Sequence, residues 1–449
     1  MTSSRNAIAM SRRLVLSGLA AAVVSPAMAR AWQITGDWIP QLAGRWDVIF
    51  TVPAGDLATV WVIEQTPSGA TSIATVGPNP MALALRETRL IGSTLRLSGP
   101  TSTGEAILQA ALAPDRLEGS FTAGDLGGSF VATRRSDVRS HTVIEMFDQS
   151  IATFEEMLFT PAPFDAAWAA RKGELRATLE EATERDLVRV VRTLIASAGL
   201  SHNDYVLEPT PPLVVDLVHS EPSISWRRLS GGAGYLRMAS FVEDPAARQE
   251  LDGAFADLAA TRGFVVDLRG NSGGNLGLAM RLGDHLFPTQ TTVGAFATRR
   301  ALDAAGVAGM DALPDDAYAA FSGYEVEAFQ DALTHAGAVR IVTGGRAPAA
   351  YAQPVALLVD SRCASTTEAM AAVIKESGRA RLFGSTTAGR MLSSRRLPVL
   401  DGYTLRVAYA DFRTPGGANI EGVGVAPDQI TGAGDAAVRA ATSWLRSQR

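Results

Sequence analysis

The spacing of apolar residues divides the chain into three stretches of different character. From Leu42 to about Arg135 the segments GRWDVIFTV, TVWVIEQT, TSIATV, MALALRETRLIGSTLRLSG, EAILQAALAPDRLEGSFTAG and GSFVATRR alternate apolar and polar positions between Gly, Pro and Ser/Thr breaks. A two-residue period places successive side chains on opposite faces of a sheet, so this stretch predicts a small antiparallel barrel or sandwich. It holds no histidine and no acid pair at a catalytic spacing, and its expected role is to guide substrate or to stabilise.

The period then changes to that of helices. SHTVIEMFDQSIATFEEMLF and FDAAWAARKGELRATLEEATERDLVRVVRTLIASAGL predict amphipathic helices separated at Pro161 and Pro163. Their charges, among them Glu180, Glu181, Glu184 and Arg185, are expected on a solvated face. From about Trp226 strand and helix patterns alternate: GAGYLRMASF, ARQELDGAFADLAAT, GFVVDLRG, GNLGLAMRLGDHLF, VALLVD, TTEAMAAVIKES and ARLFGSTT, followed by a hairpin (LPVLDGYTLRVAYADFRTP) and a last helix (AAVRAATSWLRSQ). The fold class expected is therefore α/β, with a helical subdomain over 137–205, a catalytic-type domain over 206–449 and a separate small all-β domain over 32–136. GVAGMDALPDDAYAAFSGYEVEAF, within the stretch from Arg299 to Arg346, has the Gly, Pro and aromatic content of a mobile lid.

The amino terminus reads as an export signal. MSRRLVLSGLAAAVVSPAMARA joins Arg12 and Arg13 to an apolar run from Leu14 to Val24, with small-residue cleavage options at Ala27-Met28-Ala29 or Ala29-Arg30-Ala31. Residues 1–31 look like a twin-arginine signal peptide, and the mature protein is expected to be periplasmic or secreted, without a membrane span. Composition narrows the partners. A net charge of -5 over 449 residues supplies no basic field for nucleic acid. The single cysteine, Cys363, rules out an internal disulfide or a multi-cysteine metal site, and beside an apolar strand it is expected to be buried and inert. Five histidines without HExxH-type spacing argue against a zinc hydrolase. No cofactor and no metal are expected, and the oligomeric state stays open.

Two motifs carry chemistry. RCASTTEAMAAVIKESG, Arg362 to Gly378, follows the apolar strand Val355–Asp360. Ser365 and Glu368 form a capping box by spacing, in which hydroxyl and carboxylate satisfy orphan N–H groups at a helix start. A serine at a strand-to-helix turn also sits where backbone N–H groups gather to stabilise an oxyanion. DLRGNSGG, Asp267 to Gly274, is a glycine-rich turn of the kind that brings N–H groups to an anionic centre, or else a tight turn held by an Asp267–Arg269 contact. It is neither a Walker sequence nor a dinucleotide fingerprint.

Together DLRGNSGG, VALLVDSRCASTTEAMAAVIKESGRARLFGSTTAGR and IEGVGVAPD resemble the successive signatures of the C-terminal processing and tricorn-type serine peptidases, over roughly Ser140 to Asp428. The resemblance implies a ClpP/crotonase-like catalytic domain acting on a peptide or protein, with Ser365 as nucleophile. The C-terminal processing branch uses a lysine base in T-x-G-K, where this chain has Arg390 in GSTTAGR. Arginine stays protonated and cannot take the serine proton. GLSHNDY resembles the tricorn branch instead, which implies His202 as general base, Ser201 beside it and Glu421, in ANIEGVGVAPD, as the fourth member of a Ser-His-Ser-Glu set. Asp204 is a competing acid beside His202. The oxyanion donors implied are the N–H groups of Gly274 and Thr366, with Gly274 a glycine so that no Cβ obstructs the scissile carbonyl. The segment between Tyr205 and Trp226 is far shorter than the roughly 80 residues of a small independent domain, so no PDZ module is expected. Two other readings stay open: a catalytically silent binding protein, for which the family offers retinoid-binding relatives, and an esterase using the same serine.

Overall fold

The computed structural model describes residues 39–448 apart from 53–54, 78–86, 102–103, 125, 211–222, 243–244 and 346–350. The expected signal peptide and most of the linker before Trp226 lie outside the described residues.

Eight strands build the amino-terminal unit: β1 (Gly44–Val52), β2 (Gly55–Gln65), β3 (Thr71–Thr75), β4 (Glu87–Ile91), β5 (Thr94–Thr101), β6 (Gly104–Ala113), β7 (Arg116–Ala123) and β8 (Leu126–Arg134). They form one antiparallel meander in the order β3-β2-β1-β8-β7-β6-β5-β4, a nearly closed sheet. Its interior is filled rather than hollow. Phe50, Trp61, Phe121 and Phe130 are buried there, with the Phe50 and Phe121 rings 5.1 Å apart edge to face.

The unit packs against the helices that follow it. Val60, Val62, Ala74 and Val76 share one apolar cluster with α1 (Val143–Met157), α2 (Ala166–Ala177) and α3 (Glu184–Ala196). The long helical pattern of the sequence breaks between Ala177 and Glu184, where Thr183 caps α3 and Asp186 returns the bond in a capping box. Glu184 does not lie on a solvated face. It is buried, 2.9 Å from Arg45 of β1, and accepts a hydrogen bond from the Tyr403 hydroxyl at 2.8 Å. Glu180 and Glu181 are exposed as expected.

The remaining chain is a mixed α/β unit of two sheets. The first runs β10 (Ile224–Arg228), β11 (Gly234–Met238), β12 (Phe264–Asp267), β16 (Val355–Val359), β17 (Ala380–Gly384) and β20 (Gln429–Ile430), parallel except for β10. Its central strands are buried along their whole length because helices cover both faces, hence the unbroken apolar runs FVVD and VALLV. α4 (Pro245–Leu258), α5 (Leu276–Leu286) and α8 (Thr366–Glu376) lie on one face, and α9 (Asp435–Ser447) on the other. The second sheet has the order β14 (Ala319–Phe321), β15 (Ala338–Thr343), β13 (Thr291–Thr298), β19 (Tyr403–Arg413), β18 (Ser393–Pro398), and β9 (Asp204–Leu207) also pairs with β19.

The expected lid is a folded excursion. It contains α6 (Arg299–Ala305), β14 and α7 (Val326–Ala336), and Phe329 and Leu333 of α7 are buried against the core. Its glycines, prolines and aromatics mark the ends and packing of short elements.

Candidate active site

β12 and β16 are parallel neighbours, so the turns that follow them emerge at the same end of the sheet and meet. The Leu268 N–H donates to Leu358 O at 3.0 Å and the Ala364 N–H to Asn271 O at 3.3 Å. Asn271 is fully buried and clasps both turns: its Oδ1 accepts from the Gly273 N–H and the Thr367 hydroxyl, each at 2.9 Å. Gly273 lies so close to the second turn that a Cβ would stand 2.8 Å from Ser365 Cβ. At Gly274 a Cβ would stand 2.4 Å from the Phe241 backbone. The Phe241 backbone alone therefore requires glycine there. Asp267 and Arg269 make the structural contact that the sequence offered as one reading, at 2.6 and 2.9 Å, and Tyr235 donates to the same carboxylate.

Ser365 begins α8 with φ +59° and ψ -129°, a conformation that L residues rarely adopt. The expected capping box of Ser365 and Glu368 is present. Glu368 accepts from the Ser365 N–H at 3.1 Å, and the Glu368 N–H donates to the Ser365 carbonyl at 2.8 Å. Glu368 is fully buried, and its pKa is raised by burial although four donors hold it: the Thr387 hydroxyl and the N–H groups of Gly389, Arg390 and Ser365. Neither the Gly274 nor the Thr366 N–H has a hydrogen-bond partner among the described residues, and the Thr366 hydroxyl ties the two turns by donating to Gly274 O at 3.0 Å.

His202 lies in the turn between α3 and β9, with φ +63°. Its Nδ1 is 2.7 Å from Ser201 Oγ, and Ser201 Oγ is 2.9 Å from Glu421 Oε2. Glu421 also accepts from the N–H groups of Ser201, at 2.7 Å, and Met391, at 2.8 Å. The single hydroxyl proton of Ser201 is committed to the carboxylate, which can only accept; Ser201 must then accept from Nδ1–H. That fixes the tautomer, with the lone pair on Nε2. Asp204 instead accepts from Arg192 Nε at 3.0 Å and does not engage the ring. Burial first, then the charges of Arg406 and Arg390, lower the His202 pKa to about 4.

His202, Ser365, Gly274 and Thr366 line one cavity of about 210 Å³ whose apolar wall includes Phe296, Phe329 and Met370. One chain of contacts joins its two halves: Ser365 to Glu368, Glu368 to the Thr387–Arg390 loop, and Met391 to Glu421, Ser201 and His202. Sequence reading missed Asn271 and the Met391 N–H. Asn271 could have been found as the polar residue inside the glycine turn; the Met391 contribution is a backbone group and leaves no side-chain signal. Arg390 is exposed, and its carbonyl accepts from the Ser365 N–H at 2.8 Å.

Elsewhere, Cys363 is buried, with its thiol pKa pushed up to about 12 by burial. His285 stacks on Phe255 and contacts Asp252, while His141 contacts Asp401. No group of residues that could hold a metal ion occurs among the described residues, and none of the described helices is long and apolar enough to cross a membrane. A larger cavity, about 760 Å³, opens at the carboxyl ends of the parallel strands, but its Asp267–Arg269 and Asp360–Arg362 groups pair with one another and it contains no histidine.

Residues 232–431 match the model of peptidase family S41. Among curated relatives, the chloroplastic C-terminal processing peptidase of Tetradesmus obliquus is 27% identical over 197 residues, 43% of this chain and 34% of that protein. The carboxy-terminal-processing protease of Bartonella bacilliformis is 25% identical over 209 residues, 45% of this chain and 39% of that protein. The chain thus spans between a third and two-fifths of the length of these relatives. A solved structure from Parabacteroides merdae, described as that of a candidate peptidase, superposes with a TM-score of 0.51 over 68% of this chain and 97% of the other at 13% identity, a likeness of fold alone. Over residues 232–431 the chain is thus similar to peptidase family S41, and the curated proteins it resembles there are C-terminal processing proteases.

Proposed function

We propose that the protein is an exported serine peptidase of the His-base, tricorn-like type, with a ClpP/crotonase-like catalytic domain over 206–449, a helical subdomain over 137–205 and a β domain over 32–136. The observation that carries this reading is the Glu421–Ser201–His202 relay, which leaves a lone pair on Nε2 of a histidine that lines the same cavity as Ser365. Ser365 attacks the peptide carbonyl as Nε2 takes its proton, and the imidazolium returns that proton to the leaving amine. Ser201 and Glu421 act through His202, holding its ring and tautomer. The N–H groups of Gly274 and Thr366 stabilise the tetrahedral oxyanion, each contributing about 3 kcal/mol to the transition state. The apolar wall favours an apolar side chain beside the scissile bond. Export rests on the twin-arginine pattern of residues 1–31.

Arg390 at the family's lysine position favours one other reading, a silent binding protein. Hydrolysis of matched peptide and ester substrates by wild type, Ser365→Ala and His202→Ala tests both. Peptide cleavage lost in both variants supports the peptidase. Cleavage of esters alone would make the protein an esterase, and binding without cleavage of either would leave the silent protein.

A further inference from the structure

Beside the candidate cleft lies a cationic group, Arg406, whose charge is offset in part by Asp204 across the sheet but by no close ion pair among the described residues. β18 and β19 pair so that Arg396 stands directly opposite Arg406, and β19 pairs with β9 so that Asp204 faces Arg406 from the other side. Like charges in direct cross-strand register repel. Both neighbours are already engaged: Arg396 with Glu208, Asp204 with Arg192. Arg406 itself donates from Nε to Ser394 Oγ at 3.1 Å, and no carboxylate among the described residues lies within ion-pairing distance of it. The guanidinium is partly buried, and burial lowers its pKa, a sign of desolvation without full compensation.

Arg406 opens on a groove of about 490 Å³ lined by Gln330, Ser394, Arg395, Arg396 and Arg406, with no acid among them. Gln330 and Ser394 also line the cavity that contains Ser365 and His202, so the groove continues that cavity along the edge strand β18. An exposed edge can take an extended peptide, which advances about 3.3 Å per residue; Ser394 to Arg396 is then two or three residues of bound chain.

We propose that Arg406 and Ser394 form a carboxylate subsite of the cleft, which binds an acidic group of the peptide within about three residues of the scissile bond. The proposal rests on the peptidase reading above. Its chemistry is that of a charge-assisted hydrogen bond to a planar fork, the recognition for which arginine is suited. The carboxylate is that of an Asp or Glu side chain or of the peptide's own C-terminus. Occupancy also changes the base. His202 faces Ser201 Oγ, with Glu421 behind it, and the charges of Arg390 and Arg406; Asp204, next to Arg406, is held by Arg192. A carboxylate on Arg406 offsets one of the two positive charges and brings His202 closer to the working pH of a general base, so an acidic substrate gains in kcat as well as in KM.

The test uses peptides that share one apolar residue before the scissile bond and carry Glu or Gln two or three positions to either side, each with a free or amidated C-terminus. Wild type is expected to prefer the peptide with the recognised carboxylate by about 10- to 100-fold in kcat/KM. That preference should collapse toward unity in Arg406→Gln, recover in part in Arg406→Lys, and coincide with a higher acid-limb pKa in the kcat profile. Preference lost on amidation assigns the carboxylate to the C-terminus; preference lost on Glu→Gln assigns it to the side chain. Equal rates on all peptides, or a preference unchanged in Arg406→Gln, would overturn the proposal. Fluorescence anisotropy of the same peptides on Ser365→Ala separates this from failure of the peptidase reading. Tighter, salt-sensitive binding of the acidic peptide that disappears with an added Arg406→Gln supports the subsite even without hydrolysis, and equal binding overturns it.

Discussion

Two polar networks in this protein treat charge in opposite ways. At the junction of the β unit with the helices, Arg45 reaches Glu184 at 2.9 Å, Asp137 at 3.0 Å and the Asp401 carbonyl at 2.7 Å, and Tyr403 completes Glu184. At the cleft the groups are left open. The Gly274 and Thr366 N–H groups lack partners among the described residues, Arg406 has a hydroxyl partner but no ion pair, and His202 is held neutral beside two arginines. Buried charge that is ion-paired, as Arg45 is through its two terminal nitrogens, holds parts of a fold together; polar groups without an ion pair or acceptor beside a cavity are available to a ligand or a transition state. The contrast predicts that substitutions at the junction change stability and substitutions at the cleft change activity.

The largest effect is expected at the proposed nucleophile. Ser365→Ala should lower kcat for peptide hydrolysis by about 10⁶-fold with the thermal midpoint little changed, because the Glu368 carboxylate and the backbone bonds at the helix start remain. A large fall in the midpoint would return Ser365 to a structural role. Glu421→Gln should follow, with a loss of up to about 10⁴-fold in kcat, since an amide in place of the carboxylate can donate to Ser201 and reverse the tautomer of His202. Steady-state kinetics with little change in KM would support this.

The junction gives the next effect. Glu184→Ala leaves Arg45 buried beside a lost partner and should cost about 3–5 kcal/mol in chemical denaturation, with kcat of the folded fraction unchanged. Arg45→Met combined with Glu184→Leu should recover most of that loss.

The smallest effect sets the two regions against each other in pH. Glu64, whose carboxylate accepts from the Glu184 N–H, has its pKa raised to about 7 by burial first and by Glu184 second. The native state binds the extra proton between the unfolded value and 7, so this group stabilises more as pH falls through that window. His202 has the opposite sign. Its native pKa of about 4 lies below the unfolded value near 6.5, the unfolded state binds the extra proton, and stability falls as pH falls between them. The two contributions oppose one another in wild type. In Glu64→Gln the thermal midpoint should fall more steeply from pH 7 to 5, and in His202→Ala less steeply; identical slopes in both variants would contradict the assignment.

What the sequence revealed follows the range of the interactions. The run VALLVD followed by Ser365 and Glu368, the glycine turn after Asp267 and the Ser201-His202 pair are local, and each is visible as spacing. The burial of Glu184 was not legible, because its partner Arg45 lies 139 positions away and a helix pattern alone assigns such a charge to solvent. The elements inside the expected lid were not legible for a related reason: short elements between Gly and Pro are made regular by packing on β13 and β15, which no window of sequence contains. The strained backbone of Ser365, with its positive φ, was hidden behind an ordinary capping spacing.

The most direct measurement is the rate at which a fluorophosphonate probe labels the folded protein, with the site mapped by mass spectrometry, in wild type, His202→Ala and Glu421→Gln. The account predicts one adduct on Ser365 that forms far more slowly in both variants. Labelling of Ser365 at the wild-type rate in His202→Ala, or no adduct in wild type under conditions where peptide is cleaved, would contradict a histidine-activated serine.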